Sequence, residues 1–264
     1  MRKLAVPLLL FAVAVCSCST ANVAPEAAAK AKRALSEKIQ WLSIALDKAA
    51  AELAPLTADK AAVTVRLQSL LLRFPEAEDC AFVSPGGVML ALAPASYRSY
   101  VGVSIAHQKQ FQDVKAKRLP LLSPLFQAKE GYQAFTFVWP VLEDGEFKGA
   151  LSMLFRPGTF FRKTLEPSLA GGPFDLWVAQ RDGVVIYDRD AEEVGRNLLT
   201  DPAYAAFPTL RQAWLEIAAA PEGAATYSSL DQDTRMVTAK EARWTSFAQY
   251  GVDWRIVLAR PVRE

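Results

Sequence analysis

The sequence has little cysteine, a single histidine and almost no charge bias. Three cysteines occur in 264 residues. Cys16 and Cys18 end an apolar N-terminal run, so only Cys80 is left for the folded body and no internal disulfide is available to it. Cys80 follows Asp79 at the head of an apolar stretch, the setting of a buried, inert thiol. His107 has no cysteine or carboxylate around it at metal-ligand spacing, which argues against a metal site and leaves a histidine-dependent triad one candidate base. Gly-x-Ser-x-Gly, a phosphate loop and a dinucleotide fingerprint are all missing. The sequence therefore points to a non-enzymatic protein with no cofactor. Thirty basic residues stand against 28 acidic ones. Arg2 and Lys3 lie in an apparent leader, so the remaining chain is near neutral and carries no field that favours nucleic acid. The apolar run over residues 4–15 is well short of the roughly 20 residues that span a bilayer.

What is present begins with that leader. Met1-Arg2-Lys3 is a basic n-region ahead of an apolar h-region, and the run closes on Val15-Cys16-Ser17-Cys18. This ending resembles the lipobox of bacterial lipoproteins, with an aliphatic residue three before Cys18 and a small one directly before it. The resemblance implies a signal peptide over residues 1–17, lipid on Cys18, and a permanent membrane anchor. An ordinary secretory leader cut a few residues later is the alternative. Ser19 is not the aspartate that often retains lipoproteins in the inner membrane, so the expected place is the periplasmic side of the envelope, at the outer membrane.

After a tether over residues 18–25, Ala, Lys, Glu and Leu dominate, and all are good helix formers. Leu35, Ile39, Leu42, Leu46, Ala49 and Leu53 recur at spacings of three, four and seven and form one apolar stripe. A helix of about 29 residues would be a rod of roughly 44 Å, long enough to lie along two stacked modules. Trp41 beside the stripe marks a contact with one of them. Pro55 breaks the rod, and Thr57 can cap a second helix through about residue 73. The helical stalk thus spans 26–74.

Two hairpin signals follow. Asp182-Gly183 between β-rich runs is the stronger, read as a type I′ turn. Ser84-Pro85-Gly86-Gly87 between Cys80-Ala81-Phe82-Val83 and Val88-Met89-Leu90-Ala91-Leu92 is a weaker copy. Further strands are expected over 134–142, 147–155, 224–228, 235–248 and 254–259. The chain reads as one unit built twice. Gly87 pairs with Gly183, Gly102 with Gly195, Glu130-Gly131 with Glu222-Gly223, and Arg156-Pro157 with Arg260-Pro261. Gly171-Gly172-Pro173 marks the boundary between modules 75–170 and 171–264. The fold class is α+β: a long N-terminal helix, then two PAS-like modules, each with an antiparallel sheet.

This order resembles the double Cache extracellular sensor domain. The residues that carry it are Asp182-Gly183-Val184-Val185-Ile186-Tyr187, Val194-Gly195-Arg196-Asn197-Leu198 and the closing strand Trp254-Arg255-Ile256-Val257-Leu258. In the first module they are Val101-Gly102-Val103-Ser104-Ile105, Leu122-Ser123-Pro124, Glu130-Gly131, and Pro140-Val141 with Gly149. The resemblance covers residues 30 to 262 and implies a membrane-distal and a membrane-proximal Cache module. It departs from the family twice. A lipid stands in place of the usual first transmembrane helix, with no output segment after Glu264. The Arg-Trp-Asp signature for α-amino acids is also missing, since Leu119-Pro120 follow Arg118 and Leu154-Phe155 stand where the aspartate is expected.

A PAS-like pocket lies between the sheet and the helical crossover above it. Candidate ligand contacts on the crossover are Tyr97, Arg98, Tyr100, Arg118 and Ser123; near the central strands they are Tyr132, Phe135, Phe137 and Trp139. Arg118 either clamps a carboxylate or is a solvated surface cation. Phe135, Phe137 and Trp139 share one strand face, which either lines the core and pocket or meets the helix or a partner. Tyr187 and Asp188 are candidates for a smaller second-module pocket. The function implied is a lipid-anchored sensor that binds a small polar or anionic metabolite in its first module, uses the second as a spacer, and passes its state to an envelope partner protein. The alternative is an envelope interaction or scaffold lipoprotein whose pockets are filled.

Overall fold

A computed structural model describes residues 23–262 except 130, 171, 173, 232, 233 and 235. The leader, the lipobox with Cys18 and the first part of the tether lie outside the described residues.

Helix α1 (Val23–Leu53) is 31 residues, about 46 Å long at 1.5 Å per residue, and begins inside the expected tether. Leu35, Ile39, Leu42, Leu46 and Leu53 are fully buried, while Ala50 takes the buried place one residue beyond the half-buried Ala49. Each large side chain removed from water contributes about 1.5–3 kcal/mol, so this stripe is what holds the rod down. Trp41 stacks on Phe74 with ring centroids 4.7 Å apart. Helix α2 (Lys60–Leu72) is capped by Asp59, whose carboxylate accepts from the backbone N–H groups of Ala61 and Ala62; the expected cap at Thr57 sits too early, in the preceding turn. Among the described residues no helix is long and apolar enough to cross a membrane.

The first sheet contains β1 (Ala77–Val83), β2 (Met89–Ala93), β3 (Leu121–Leu122), β4 (Phe126–Gln127), β5 (Gln133–Glu143) and β6 (Glu146–Phe155), in the order β2-β1-β6-β5-β3, with β4 also pairing β5. Its crossover carries α3 (Lys109–Lys117), and α4 (Pro157–Leu165) leads out. The second sheet contains β7 (Asp175–Gln180), β8 (Val185–Tyr187), β9 (Glu222–Leu230), β10 (Val237–Gln249) and β11 (Val252–Pro261), in the order β8-β7-β11-β10-β9, crossed over by α5 (Pro208–Ala219). The two orders are the same plan, so the protein is α+β with a long helix and two antiparallel sheets.

The duplication holds hydrogen bond by hydrogen bond. Gly87 N–H donates to Ser84 O and Ser84 N–H to Val88 O; Gly183 N–H donates to Gln180 O and Gln180 N–H to Val184 O. Gly102 N–H reaches Met89 O as Gly195 N–H reaches Val185 O. Gly87 and Gly183 have φ of 83° and 95°, whereas Asp182 stays at negative φ. The hairpin is therefore a turn closed by one left-handed glycine, not the expected type I′ turn, which is found instead at Asp144-Gly145, with φ of 50° and 79°. One equivalence fails: Gly131 stands in the turn before β5, while Gly223 lies in β9, the counterpart of β3.

Helix α1 packs on β5 and β6 of the first sheet and on β10 and β11 of the second. One continuous core runs beneath it, and Phe135, Phe161 and Trp254 pack together where the modules meet. The opposite face of each sheet faces its own crossover and carries a separate core.

Two candidate ligand clefts

Strand alternation decides which side chains reach the first cleft. In β5, Phe135 and Phe137 belong to the core beneath α1, and Trp139 donates its indole N–H to Asp47 of α1 at 3.2 Å. The three aromatics take the helix-facing side, so they do not line the cleft. Thr136 and Val138, between them, do. Neighbouring strands add Asp79, Ala81 and Val83 from β1 and Ala150, Ser152 and Leu154 from β6. Gln108, Gln110, Phe111 and Lys129 close over this floor, leaving a volume of about 50 Å³.

The polar groups of the floor are mainly acceptors. Thr136 Oγ1 donates to Met153 O at 3.0 Å and lies 2.7 Å from Ser152 Oγ. With the threonine proton used, Ser152 donates to it, which leaves the serine oxygen able to act as an acceptor. Asp79, 4% exposed, adds a carboxylate in the same row as Leu154 and Thr136. That carboxylate and complete burial together push the Cys80 thiol well above its ordinary range, burial being the larger cause, so Cys80 is inert as expected. Lys129 is the one cation among the lining residues, at the exposed rim.

The remaining expected contacts are distributed elsewhere. Arg118 is the left-handed C-cap of α3, and its guanidinium donates to Gly145 O at 2.6 Å, outside the cleft. Arg98 lies in a shallow depression with Thr64 and Gln68 of α2. Buried Ser123 accepts from the Thr136 N–H and donates to Pro124 O, a strand-edge role. Tyr97 and Tyr132 do come together, with hydroxyls 3.4 Å apart. Tyr97 also donates to Glu78 at 3.2 Å, Arg156 pairs with Glu78 at 3.1 Å, and the Arg156 guanidinium stacks 3.5 Å over the Tyr132 ring. Tyr100 packs beside Tyr97. This cluster ties the start of the crossover to the sheet.

The second cleft is larger, about 370 Å³. Asp188 lines it, but Tyr187 points to the other face, where its hydroxyl donates to Glu166 at 2.7 Å. Arg255, almost fully buried, donates to the carbonyls of Ile217 and Ala218 at the end of α5 and clamps that helix to the sheet. Trp177, Trp214 and Trp244 fill the space beneath α5. The open volume is thereby displaced toward Asp175, Tyr227 and Lys240 and the loop over 188–196.

Solved structures with this architecture were found in number. The extracellular ligand binding receptor from Desulfohalobium retbaense is 26% identical, with a TM-score of 0.72 over 89% of this chain. This chain spans 40% of that receptor's length. The chain has the double Cache fold. The ligand-binding domain of the Pseudomonas fluorescens chemoreceptor CtaA, solved with L-alanine, is 14% identical at a TM-score of 0.65, over 90% of this chain and 95% of that one. The Pseudomonas aeruginosa chemoreceptor PctB ligand-binding domain, solved with L-Arg, is 13% identical at 0.61, over 90% and 92%. Residues 37–157 match the family model of the HK/GC/Chemotaxis protein-like sensor domain, which covers most of α1 and the whole first sheet of the double Cache fold. No curated protein matches the sequence.

Sequence reasoning missed Asp79, Thr136 and Ser152. The available signal was the polar residue alternating with the aromatics in β5, together with Asp79 ahead of an otherwise apolar strand.

Proposed function

We propose that this double Cache chain is an extracytoplasmic sensor, held at the envelope by lipid on Cys18, that binds a small amine-bearing metabolite in its first cleft. The observation that carries the reading is the acceptor-rich floor of Asp79 and Ser152 beneath an exposed Lys129. A carboxylate and a hydroxyl lone pair suit an ammonium group, and a lysine at the rim suits a carboxylate. Of the polar or anionic metabolites expected, the preferred ligand is therefore an amine or a zwitterion rather than an anion clamped by Arg118. Amino acids occupy the CtaA and PctB domains of the same fold, which supports that class without fixing its member. A volume of about 50 Å³ has room for a few waters but not for an amino acid, so binding requires the crossover to lift from the sheet. Because α1 packs on strands of both modules, that movement reaches the helix, and through it a separate envelope protein.

A thermal-shift screen of the mature chain with amino acids, amines and organic acids tests this. A ligand at about 100 times its Kd adds roughly 2.7 kcal/mol. The expected result is stabilisation by an amine or zwitterion that Asp79→Asn removes. No stabilisation by any of the panel would favour the second reading, an envelope interaction protein with filled pockets, which the small first cleft also supports.

A further inference from the structure

The outer strands of the two sheets are β2 and β3 in the first and β8 and β9 in the second. β2 and β8 are closed by the chain that follows them. Met89 N–H donates to Val103 O and Gly102 N–H to Met89 O, as Val185 N–H donates to Arg196 O and Gly195 N–H to Val185 O. β3 has two residues, lies between Pro120 and Pro124, and gives its Leu122 N–H to Tyr250 O. Its counterpart β9 is nine residues long, and beyond Glu222 it holds neither proline nor a charged residue. Sheet edges are ordinarily blunted by short strands, Lys, Pro or a covering loop. Among the described residues β9 has one such cover.

That cover shows which groups are free. The Ser228 N–H turns away from β10 and donates to Thr209 Oγ1, at the start of α5, at 2.9 Å. The β9–β10 register is unbroken, so by alternation Ala224 and Thr226 also turn N–H and C=O away from β10. Both residues are exposed. The edge opens on a groove of about 480 Å³, where Ala224, Thr226, Glu241, Arg243, Leu258 and Arg260 line one face of the sheet. Glu241 is paired with Arg260. Arg243 stands between Leu258 and the small Ala224 and has no ion pair among the described residues. Glu216 of α5 borders the groove from the other face.

We infer that the β9 edge is a docking site for an extended segment of a partner protein, which adds as a further strand beside Ala224 and Thr226 and sets a carboxylate against Arg243. Each of these two edge residues offers a backbone donor and acceptor, which another extended backbone meets in register. Side chains of the added strand alternate between faces, so a carboxylate on the Arg243 side is flanked by uncharged residues on the Glu216 side. A second copy of this chain, paired antiparallel through the same two residues, would set Glu222 opposite Ser228 and leave Arg243 without a carboxylate. A different chain is therefore the better occupant. This docking edge does not depend on whether the first cleft binds an amine.

The test is titration of the full chain with the blocked heptapeptide Thr-Val-Thr-Glu-Thr-Val-Thr and with a control that carries Lys in place of Glu. Binding is read by anisotropy of the labelled peptide and by amide hydrogen exchange over residues 222–230. Thr226→Pro removes an outward N–H and no ladder hydrogen bond, so the fold is expected to stand; Ala224→Pro serves if it does not. The expected result is that the Glu peptide binds and slows exchange at Thr226, while the Lys peptide binds about tenfold or more weakly. Thr226→Pro is expected to bind neither peptide, and Arg243→Gln to bind the two alike. Failure of the Glu peptide to bind at millimolar concentration overturns the inference, as does undiminished binding by folded Thr226→Pro. Dimerisation of the unaltered chain that Thr226→Pro abolishes would put a second copy on the edge and refute the partner segment.

Discussion

Ala81 and Trp177 hold the same position in the two halves of the chain, each six residues before its turn glycine and each facing its crossover. The pair across the sheet follows suit: Val138 in the first module corresponds to Trp244 in the second, through Ser152 and Val257 between them. Small residues keep the floor of the first cleft accessible, and indoles fill the matching part of the second, beneath α5. Ala81→Leu should therefore block ligand binding in the first cleft at a cost of about 1–3 kcal/mol of overpacking. The check is calorimetric titration with the best ligand alongside a denaturant melt. A folded variant that still binds would contradict the placement of the cleft.

The crossover is tied down at Tyr97, Glu78, Arg156 and Tyr132. The Arg156 side chain is partly exposed, so its ion pair and its stacking on Tyr132 together contribute about 1 kcal/mol. Arg156→Met is expected to lower global stability little but to raise hydrogen-exchange rates over residues 95–117. Equal exchange in both proteins would show that the cluster does not hold the crossover.

Much of this architecture could be read in advance, and the failures have a common cause. The α1 stripe, the long strands and the glycine pairs Gly87/Gly183 and Gly102/Gly195 are local signals, and each survived. Period two in β5 separates Phe135 and Phe137 from Thr136 and Val138, but it does not say which set faces the long helix. That choice was made by α1, whose row of leucines offers an apolar surface too wide for polar residues to cover. Arg118 was misplaced because a left-handed helix cap turned it toward Gly145. Of the second cleft only Asp188 was foreseen as a contact, since most of its walls come from β7, β9, β10, α5 and a loop that are adjacent only after folding.

Phe135 and Trp254 join the modules edge to face, with centroids 5.5 Å apart, inside one continuous core. Phe135→Ala should cost about 3–5 kcal/mol. Because the core is shared, both modules are expected to lose structure in a single transition, followed by tryptophan fluorescence and far-UV circular dichroism. Two separate transitions would mean that the modules fold independently.

Burial, with added help from Glu166 and Glu193, raises the Tyr187 and Tyr204 phenols above their ordinary range, and burial, with smaller contributions from Asp175 and Asp188, raises Tyr227. A folded pKa above the unfolded value of about 10 means that the native state holds its protons longer. Their contribution to stability is complete below about pH 10 and is lost as pH rises toward the folded values. Absorbance at 295 nm should show three of the seven tyrosines ionising only together with loss of near-UV dichroism. Smooth titration of all seven in a folded protein would contradict their burial.

The most direct measurement is a crystal structure of the mature chain grown with the strongest amine or amino acid from the screen. The account predicts ligand density in the first cleft, an ammonium group against Asp79 and Ser152, and the crossover lifted from its closed position. An unchanged, closed first cleft at saturating ligand would contradict it.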